Sequence, residues 1–261
     1  RSTTRPRPGW RSGRPRAQAT RPALIHAASN YVVGLAGVEA ARQLGLPSVY
    51  EVRGLWHLTR AAGQPAFATS DQYELTEQLE AQAAARADRV LVITRAVGDH
   101  LAARGVPWSK MTVLPNAVDV DAFAPREPDP AIATRWGLGG VPVIGYVGSL
   151  VHYEGLDVLL HAAARLRRHA AFKLLVVGDG AALPGLRTLA RELGLDDVVV
   201  FTGRVPHADV GAYYAAIDVL AFPRKDLPVC HLVSPLKPFE AMAMGKAVVV
   251  SDVAALTEIV L

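Results

Sequence analysis

Residues 141–156 read VPVIGYVGSLVHYEGL, and this stretch decides the class of fold. Its first seven residues are an apolar run of strand length, Gly148 and Ser149 follow as a turn, and Gly155 opens a segment of helical period. A glycine directly after a parallel strand lets a ligand approach the main chain, and the following helix start favours anions. The stretch therefore predicts a βα unit with a ligand-facing turn. The alternative is a turn whose glycines serve only the backbone conformation.

Further βα units are predicted on the carboxyl side of this stretch. The expected strands are Val141–Val147, Lys173–Val177, Val198–Phe201, Val219–Phe222 and Ala247–Val250. The expected helices lie near Leu156–Arg168, Leu183–Leu193, Ala208–Ala216 and Pro238–Met244. Strands alternating with helices indicate a parallel α/β sheet. Because the chain stops at Leu261 within an apparent helix, we expect this second domain, 141–261, to be cut short.

The amino-terminal half shows the same alternation. Strands are predicted at Ala23–Ala27, Ser48–Val52, Arg89–Ile93 and Thr112–Leu114, and helices at Val33–Leu44, Gln72–Arg86 and Ala96–Arg104. A long, functional loop is expected over residues 53–71. We expect a partial α/β domain over residues 23–124 and a proline-rich linker over residues 125–140, with one short helix near Ala131–Trp136.

Composition restricts the class of protein. The chain has 261 residues, of which 51% are hydrophobic and 20% are charged, which suits a globular protein with two α/β domains. Its apolar runs are far shorter than the roughly 20 residues that span a bilayer. The single cysteine, Cys230, cannot form an internal disulfide, which favours a reducing compartment. We therefore expect a cytoplasmic protein, with contact to the inner face of the membrane as an option.

The net charge of +4 comes from the amino terminus. Seven of the 28 basic residues are arginines within residues 1–21. The rest of the chain has 21 basic and 24 acidic residues, so its net charge is slightly negative. The segment 1–22 is therefore expected to be a disordered basic tail, because its composition cannot bury enough apolar surface. Without a folded basic face, no nucleic-acid partner is predicted.

The segment 223–251 carries the clearest chemistry. Lys237 precedes Pro238, which suits the first position of a helix, so an ammonium and main-chain N–H groups would meet there. That combination fits a diphosphate. Glu240 in the first turn can either cap the helix or accept hydrogen bonds from two sugar hydroxyls, and the residues leave both options open.

Several motifs occur in a fixed order along the chain: PNAVD (115–119), YVGSL (146–150), EGL (154–156), LVVGDG (175–180), FTGRV (201–205) and FEAMAMG (239–245). Together they resemble glycosyltransferase family 4, whose members are retaining enzymes of the GT-B fold. HAASNY (26–31), YEVRGLW (50–56) and SPLKPFE (234–240) look like a bacterial surface-polysaccharide branch of that family.

The resemblance implies a fold, a reaction and a set of site residues. The fold would be two Rossmann-like domains, the first incomplete, and the reaction a sugar transfer from a nucleoside diphosphate donor to an acceptor hydroxyl. Glu240 would bind the donor ribose. The other implied donor-binding residues are the turn residues Gly148 and Ser149, the nucleobase neighbours Gly203, Arg204 and Val205, and the loop residues Ser234, Pro235 and Leu236.

The sequence departs from the family pattern at three positions. Leu232 stands where the family's first motif glutamate is expected, and Ser149 and Glu154 stand where it has a phosphate-binding arginine and lysine. We therefore expect Lys237, with Arg224 and Lys225, to supply the missing positive charge. Glu154 would repel a phosphate if it pointed inward.

Acceptor-side residues are expected just beyond the strand at Ser48–Val52. Glu51 and Arg53 are predicted to be catalytic together with Lys237, and Trp56 and His57 lie in the same loop. The alternative is a charged loop capped by a packed tryptophan. His26 could belong to the core or line a cleft.

No metal site and no cofactor beyond the donor sugar are expected, because His100, His161, His169 and His207 show no metal-ligand spacing. The expected partners are a nucleotide sugar and an acceptor sugar or lipid-linked saccharide. Two other functions remain open: a sugar-nucleotide epimerase of the same architecture, and a non-catalytic fragment that binds nucleotide sugars.

Overall fold

A computed structural model describes residues 22–260 and divides the chain into two compact units. The N-terminal unit ends at Pro115 and the C-terminal unit begins at Asn116. The segment 119–140, expected to contain a linker, thus belongs to the C-terminal unit. The expected basic tail lies outside the described residues, apart from Pro22.

The N-terminal unit is a parallel four-stranded sheet with helical crossovers. Its strands lie in the order β1-β2-β3-β4, so each new strand joins the same edge of the sheet. The strands are β1 (Ile25–Ala28), β2 (Ser48–Val52), β3 (Arg89–Val92) and β4 (Met111–Val113). The helices are α1 (Tyr31–Leu44), α2 (Trp56–Gly63), α3 (Asp71–Arg86) and α4 (Arg95–Ala102).

Capping residues explain where three of these helices begin. The side chains of Asn30, Ser70 and Thr94 accept hydrogen bonds from the first-turn N–H groups of α1, α3 and α4. Helix α2 has no such cap, because Leu55 precedes it. The expectation of a long loop over residues 53–71 is therefore wrong: α2 and a 3₁₀ helix at Pro65–Thr69 fill it, held by buried apolar side chains.

The core of the N-terminal unit contains a buried polar contact. Tyr50 of β2 is fully buried, and its hydroxyl donates to the Glu80 carboxylate on α3. The same carboxylate accepts a hydrogen bond from the Tyr31 N–H at 3.0 Å. Burial raises the pKa of Glu80, and these two donors oppose the shift.

The C-terminal unit is a parallel five-stranded sheet in the order β7-β6-β5-β8-β9. Its strands are β5 (Val143–Val147), β6 (Lys173–Val177), β7 (Val199–Gly203), β8 (Val219–Phe222) and β9 (Ala247–Val250). Its helices are α5 (Pro130–Trp136), α6 (Leu156–Leu166), α7 (Leu183–Glu192), α8 (Val210–Ala215), α9 (Pro228–Leu232), α10 (Lys237–Ala243) and α11 (Ala254–Thr257). No helix is predicted at the position of α9, and α11, which corresponds to the helix expected at the carboxyl end, ends at Thr257 and does not continue through Val260.

The strand order of the C-terminal unit reverses between β5 and β8. The chain first builds β6 and β7 on one side of β5, then returns to add β8 and β9 on the other side. In open α/β sheets of this kind, ligands bind at the carboxyl ends of the strands where the order reverses. Both units are thus Rossmann-like, but within the described strands only the C-terminal unit has such a reversal.

Among the helices at residues 22–260, none combines the length and apolar character needed to cross a bilayer.

Candidate functional site

Three glycine-containing turns meet at the carboxyl ends of β5, β6 and β7. The Gly148 N–H donates to the Val177 carbonyl at 2.9 Å, and the Gly178 N–H donates to the Gly203 carbonyl at 3.0 Å. A Cβ atom on Gly178 would lie 1.9 Å from the Gly148 carbonyl oxygen, and Gly178 has a φ of +136°. Only glycine fits there, because the contacting atom is main chain, which cannot swing aside as the end of a flexible side chain can, and the positive φ disfavours other residues.

These turns form the floor of a cavity of about 530 Å³, which lies within the usual range for small-molecule sites. Four of the predicted donor-binding residues line it: Gly148, Ser149, Arg204 and Val205. The other lining residues are Val147, Val177, Gly178, Asp179, Gly180 and Val210. The predicted residue Gly203 ends β7 directly before Arg204, with a φ of +72°.

Next to the Gly148 turn lies a buried cluster of three charges. The Glu154 carboxylate is 2.8 Å from the Lys237 ammonium and 3.8 Å from the Arg224 Nε atom. Glu154 and Arg224 are each 4% exposed, and the Lys237 side chain is 18% exposed. We refer to these residues as the Glu154 cluster. Its formal charge is +1, because two cations face one carboxylate.

A close main-chain contact positions Glu154. The adjacent Gly155 has a φ of +72°, and a Cβ atom there would lie 1.8 Å from the Pro223 carbonyl oxygen. The turn that ends at Glu154 is therefore pressed against the segment directly after β8, which carries Pro223 and Arg224. The carboxylate reaches Arg224 because of this contact.

Lys237 packs directly on the glycine turn. A Cβ atom on Gly148 would lie 2.3 Å from Lys237 Cε, so only glycine leaves room for this side chain. The ammonium lies 5.2 Å from the centre of the Tyr146 ring. Burial lowers the pKa of Lys237, and the Glu154 carboxylate opposes that shift. The sequence does not predict this pairing: it indicates only that Glu154 would repel a phosphate if it pointed inward, whereas the structure places it against the Lys237 ammonium.

Arg224 and Lys225 are neighbours in sequence but occupy different environments. Arg224 is buried and donates to the Val233 carbonyl at 2.8 Å, so it is not a solvated surface charge. Its Nε atom has no hydrogen-bond partner. Lys225 instead forms an ion pair with Asp157 at 2.7 Å, outside the Glu154 cluster.

The remaining predicted donor residues surround the start of α10. Ser234 is buried, and its carbonyl accepts a hydrogen bond from Asn116 Nδ2 at 2.7 Å. Pro235 is half-buried, and Leu236 is 44% exposed. The Glu240 carboxylate accepts a hydrogen bond from the Tyr214 hydroxyl at 2.7 Å. No side chain caps α10, so the interpretation of Glu240 as a helix cap is wrong.

In the N-terminal unit, the predicted residues Glu51 and Arg53 lie together at the end of β2. The Glu51 carboxylate is 3.0 Å from His26 Nε2 and 3.6 Å from Arg53 Nε. The His26 side chain is 44% exposed, so it is not a core histidine. Trp56 is 57% exposed, so the alternative of a packed tryptophan is also wrong.

The same unit contains a group of histidines that sequence spacing did not reveal. His57 is 1% exposed, and its ring stacks on that of His100 at 5.6 Å between centroids. His100 lies on α4, but its side chain is only 12% exposed, so it does not point into solvent. Both rings face the Glu77 carboxylate.

Two family models match almost the whole chain. The model described as Glycosyltransferase Family 4 matches residues 2–122, and the model described as Glycosyl transferases group 1 matches residues 141–261. This chain belongs to the family 4 glycosyltransferases.

Curated relatives of this glycosyltransferase chain are longer proteins. A GDP-mannose-dependent alpha-mannosyltransferase of Mycolicibacterium smegmatis is 30% identical over 245 residues, covering 88% of this chain and 56% of that protein. A 2-deoxystreptamine glucosyltransferase of Streptomyces kanamyceticus is 36% identical over 197 residues, which cover 72% of this chain and 50% of that protein. The chain thus spans about half the length of these relatives.

Solved glycosyltransferase structures share its fold. HepE of Anabaena, crystallised with UDP and glucose, superposes with a TM-score of 0.74 at 21% identity, covering 94% of this chain and 63% of that one. Sucrose-phosphate synthase of Thermosynechococcus elongatus superposes with a TM-score of 0.78 at 23% identity, covering 97% of this chain and 61% of that one. At these identities the likeness concerns the fold alone, and it supports the predicted GT-B class with Rossmann-like domains.

The structure gives a physical account of two departures of this glycosyltransferase from the family pattern. Glu154, which replaces the expected lysine, is buried against a lysine on another element, Lys237. Ser149, which replaces the expected arginine, lines the cavity beside Gly148. The cations nearest to the Glu154 carboxylate are Lys237 on α10 and Arg224 directly after β8. Leu232 ends α9, and the structure does not explain why it replaces a glutamate.

Proposed function

We propose that this chain supplies the donor site of an enzyme that transfers a sugar from a nucleoside diphosphate to an acceptor hydroxyl, with retention of configuration. One observation carries the proposal. The cavity at the strand-order reversal is lined by glycine turns, and Lys237 of the Glu154 cluster, whose formal charge is +1, packs on one of the lining residues, Gly148.

The Glu154 cluster suits a diphosphate because it combines excess positive charge with fixed geometry. Glu154 holds the Lys237 ammonium at 2.8 Å, so little side-chain entropy is lost when an anion binds beside it. Negative charge grows on the departing diphosphate as the glycosidic bond breaks. A preorganised cation or N–H group aimed at such charge contributes roughly 3–4 kcal/mol to catalysis. Lys237 is therefore the residue we propose for leaving-group stabilisation.

The other assignments follow the positions of the side chains. Gly148 and Ser149 present main chain to the diphosphate, and Arg204 and Val205 on the opposite lining face the nucleobase. Glu240, already accepting a hydrogen bond from Tyr214, binds the ribose hydroxyls with its remaining acceptor capacity. Gly203, Arg224, Ser234, Pro235 and Leu236 complete the donor site, and Glu51 and Arg53 serve the acceptor side. Lys225 is left out, because Asp157 neutralises it.

The relatives support the class of donor and acceptor. The mycobacterial relative is described as GDP-mannose-dependent, and the Streptomyces relative as a glucosyltransferase acting on 2-deoxystreptamine. We therefore propose a hexose donor and a sugar or lipid-linked saccharide acceptor, in polysaccharide or glycolipid synthesis at the cytoplasmic face of the membrane. These relatives are transferases, so they give no support to the epimerase alternative.

Calorimetric titration of the chain with UDP and with GDP tests the donor site. We expect one of the two to bind at one equivalent, with the same affinity whether or not Mg²⁺ is present, because the Glu154 cluster supplies the positive charge. Glu240→Gln should weaken binding about tenfold through loss of a charge-assisted hydrogen bond. Lys225→Met, outside the cluster, is the matched control and should bind like the parent. Binding of neither nucleotide would contradict the proposed donor site.

Transfer itself is tested with a nucleotide-sugar donor and a saccharide acceptor. Release of free nucleotide only when acceptor is present indicates a transferase. An NMR measurement of the product's anomeric configuration then decides whether the configuration is retained. Donor binding without any transfer would favour the non-catalytic alternative.

A further inference from the structure

A cluster of ligand-type side chains lies in the N-terminal unit, where helices α2, α3 and α4 meet. His57 comes from α2, Glu77 from α3 and His100 from α4. One side-chain atom from each residue can be chosen so that all three lie within 4.8 Å of one another. None of the three residues belongs to the donor site proposed above.

His57 is buried without the hydrogen bonds that a buried imidazole normally makes. Its side chain is 1% exposed, and neither ring nitrogen has a hydrogen-bond partner. The edge of the Tyr73 ring packs against it at 5.0 Å between centroids. His100 Nε2 is also buried without a hydrogen-bond partner. Buried polar atoms are almost always satisfied, so two such rings facing one carboxylate indicate a missing ligand.

The spacing of these atoms fits a bound metal better than it fits direct hydrogen bonds. Glu77 Oε1 lies 3.5 Å from His57 Nε2 and 3.6 Å from His100 Nε2. Ligands about 2.0–2.1 Å from a tetrahedral ion lie about 3.3–3.4 Å apart. We propose that His57, Glu77 and His100 bind a zinc ion that joins α2, α3 and α4.

The chemistry of the three ligands suits zinc and disfavours the hard cations. Two imidazole nitrogens and one carboxylate oxygen form a ligand set that Zn²⁺ commonly uses, whereas Mg²⁺ and Ca²⁺ prefer oxygen ligands alone. Both rings are buried and close to one carboxylate, and a neutral imidazole nitrogen is the commonest metal ligand in proteins. A fourth ligand position remains for water on the side where Glu77 and His100 are partly exposed.

Arg104 acts on this cluster in two ways. Its guanidinium lies 2.5 Å from Glu77 Oε1 and donates to the His100 carbonyl at 2.8 Å. Ligating carboxylates are usually held by such outer donors, which fix their orientation. The guanidinium is also a positive charge beside a cation, so it limits the affinity for zinc. The side chain is 31% exposed, and solvent weakens that repulsion.

Zinc titration of the whole chain, purified without a histidine tag and stripped with a chelator, tests the proposal. We expect one equivalent of Zn²⁺ to bind in competition with a chromophoric zinc indicator. Co²⁺ in its place should give the visible d–d bands of a four-coordinate site. His100→Gln and Glu77→Gln should each weaken zinc binding at least tenfold, the smallest loss seen when even an outer partner of a ligand is removed.

His169→Gln is the matched control, because His169 is an exposed histidine of the C-terminal unit. It should bind zinc like the parent. Zinc should raise the thermal midpoint of the parent and of this control but not that of His100→Gln, which also shows that each variant folds. The proposal is overturned if the parent does not bind one equivalent of zinc. It is also overturned if the Glu77 and His100 variants bind zinc as tightly as the parent, or if His169→Gln no longer binds zinc.

Discussion

The two units of this glycosyltransferase are built from the same parts but differ in strand order. In the N-terminal unit each strand from β1 to β4 joins the same edge of the sheet, whereas in the C-terminal unit the order reverses between β5 and β8. The cavity and the Glu154 cluster both lie in the unit that reverses. A parallel sheet alone therefore does not create such a site; the reversal leaves an open crevice at the strand ends.

Among the described glycines, those whose added Cβ atom would lie within 3 Å of main chain all belong to the C-terminal unit, although other glycines of that unit approach side chains. In the C-terminal unit, Gly155 and Gly178 approach main-chain carbonyl oxygens. In the N-terminal unit, Gly34 and Gly98 approach the rings of Tyr50 and Trp108. A side-chain ring can rotate away at modest cost, whereas a main-chain carbonyl moves only if the backbone shifts. The ligand-facing edge of the C-terminal unit is thus rigid main chain packed on main chain.

The largest change in stability is expected from a substitution that disrupts this main-chain contact. Gly178→Ala should lower the free energy of unfolding by more than about 4 kcal/mol, because the new Cβ atom would lie 1.9 Å from a carbonyl oxygen. Gly185→Ala is the control: no atom lies within 4 Å of its Cβ position in α7, so it should stabilise by about 0.5–1 kcal/mol. Urea denaturation measures both. Similar stabilities for the two variants would contradict the rigid-edge interpretation.

The next effect concerns the Glu154 cluster. Glu154→Gln should lower the free energy of unfolding by about 3–5 kcal/mol, because it leaves two buried cations without a counter-charge. Adding Lys237→Met should restore part of that loss, so the two substitutions should be strongly non-additive. A double-mutant cycle in urea measures this coupling.

The control for that cycle is the partly exposed pair of Lys225 and Asp157. Its coupling should not exceed about 1 kcal/mol, as is usual for ion pairs near the surface. Equal coupling energies for the two pairs would mean that burial does not distinguish them.

A smaller effect is expected at the ring contact of the N-terminal unit. A Cβ atom on Gly98 would lie 2.3 Å from the outer edge of the Trp108 ring, which can tilt to relieve the contact. Gly98→Ala should therefore cost about 1–3 kcal/mol, clearly less than Gly178→Ala. Gly98→Ala combined with Trp108→Leu should recover most of the loss. A cost as large as that of Gly178→Ala would remove the contrast between the two units.

The smallest effect depends on pH. The Asp88 carboxylate accepts hydrogen bonds from the Ser48 hydroxyl at 2.7 Å and the Ser48 N–H at 2.8 Å, and these bonds lower its pKa. A lowered carboxyl pKa stabilises the folded state above the unfolded value of about 3.9, and that contribution is lost as the pH falls through the folded value.

Asp88→Asn should therefore cost less than about 1 kcal/mol at pH 7, a small figure because the carboxylate is exposed to solvent. The difference from the parent should shrink towards pH 3. Urea midpoints at the two pH values check this, and a difference that does not change with pH would contradict it.

Periodicity and turn chemistry predicted most of the fold. Four strands begin and end at the predicted residues, because a short apolar run between turn residues defines where a strand starts and stops. They are Ser48–Val52, Lys173–Val177, Val219–Phe222 and Ala247–Val250. The prediction of a loop before Asp71 is wrong, because α2 begins without a capping side chain that would mark its start in the sequence. Buried contacts of Leu55, Leu58 and Phe67 stabilise that segment, and such contacts cannot be read from local sequence.

The sequence by itself determined the α/β class, the family and the glycine turns, because strand length, turn residues and motif order are local properties. Tertiary structure alone decided the partners of the charged groups. Glu154 and Lys237 are 83 positions apart, and only the packing of β8 and α10 against the Gly148 turn brings them to 2.8 Å. His57, Glu77 and His100 likewise come from three helices. The free energy of a charge or a metal ligand depends on its neighbours in space and on its burial, and neither is encoded at any single position.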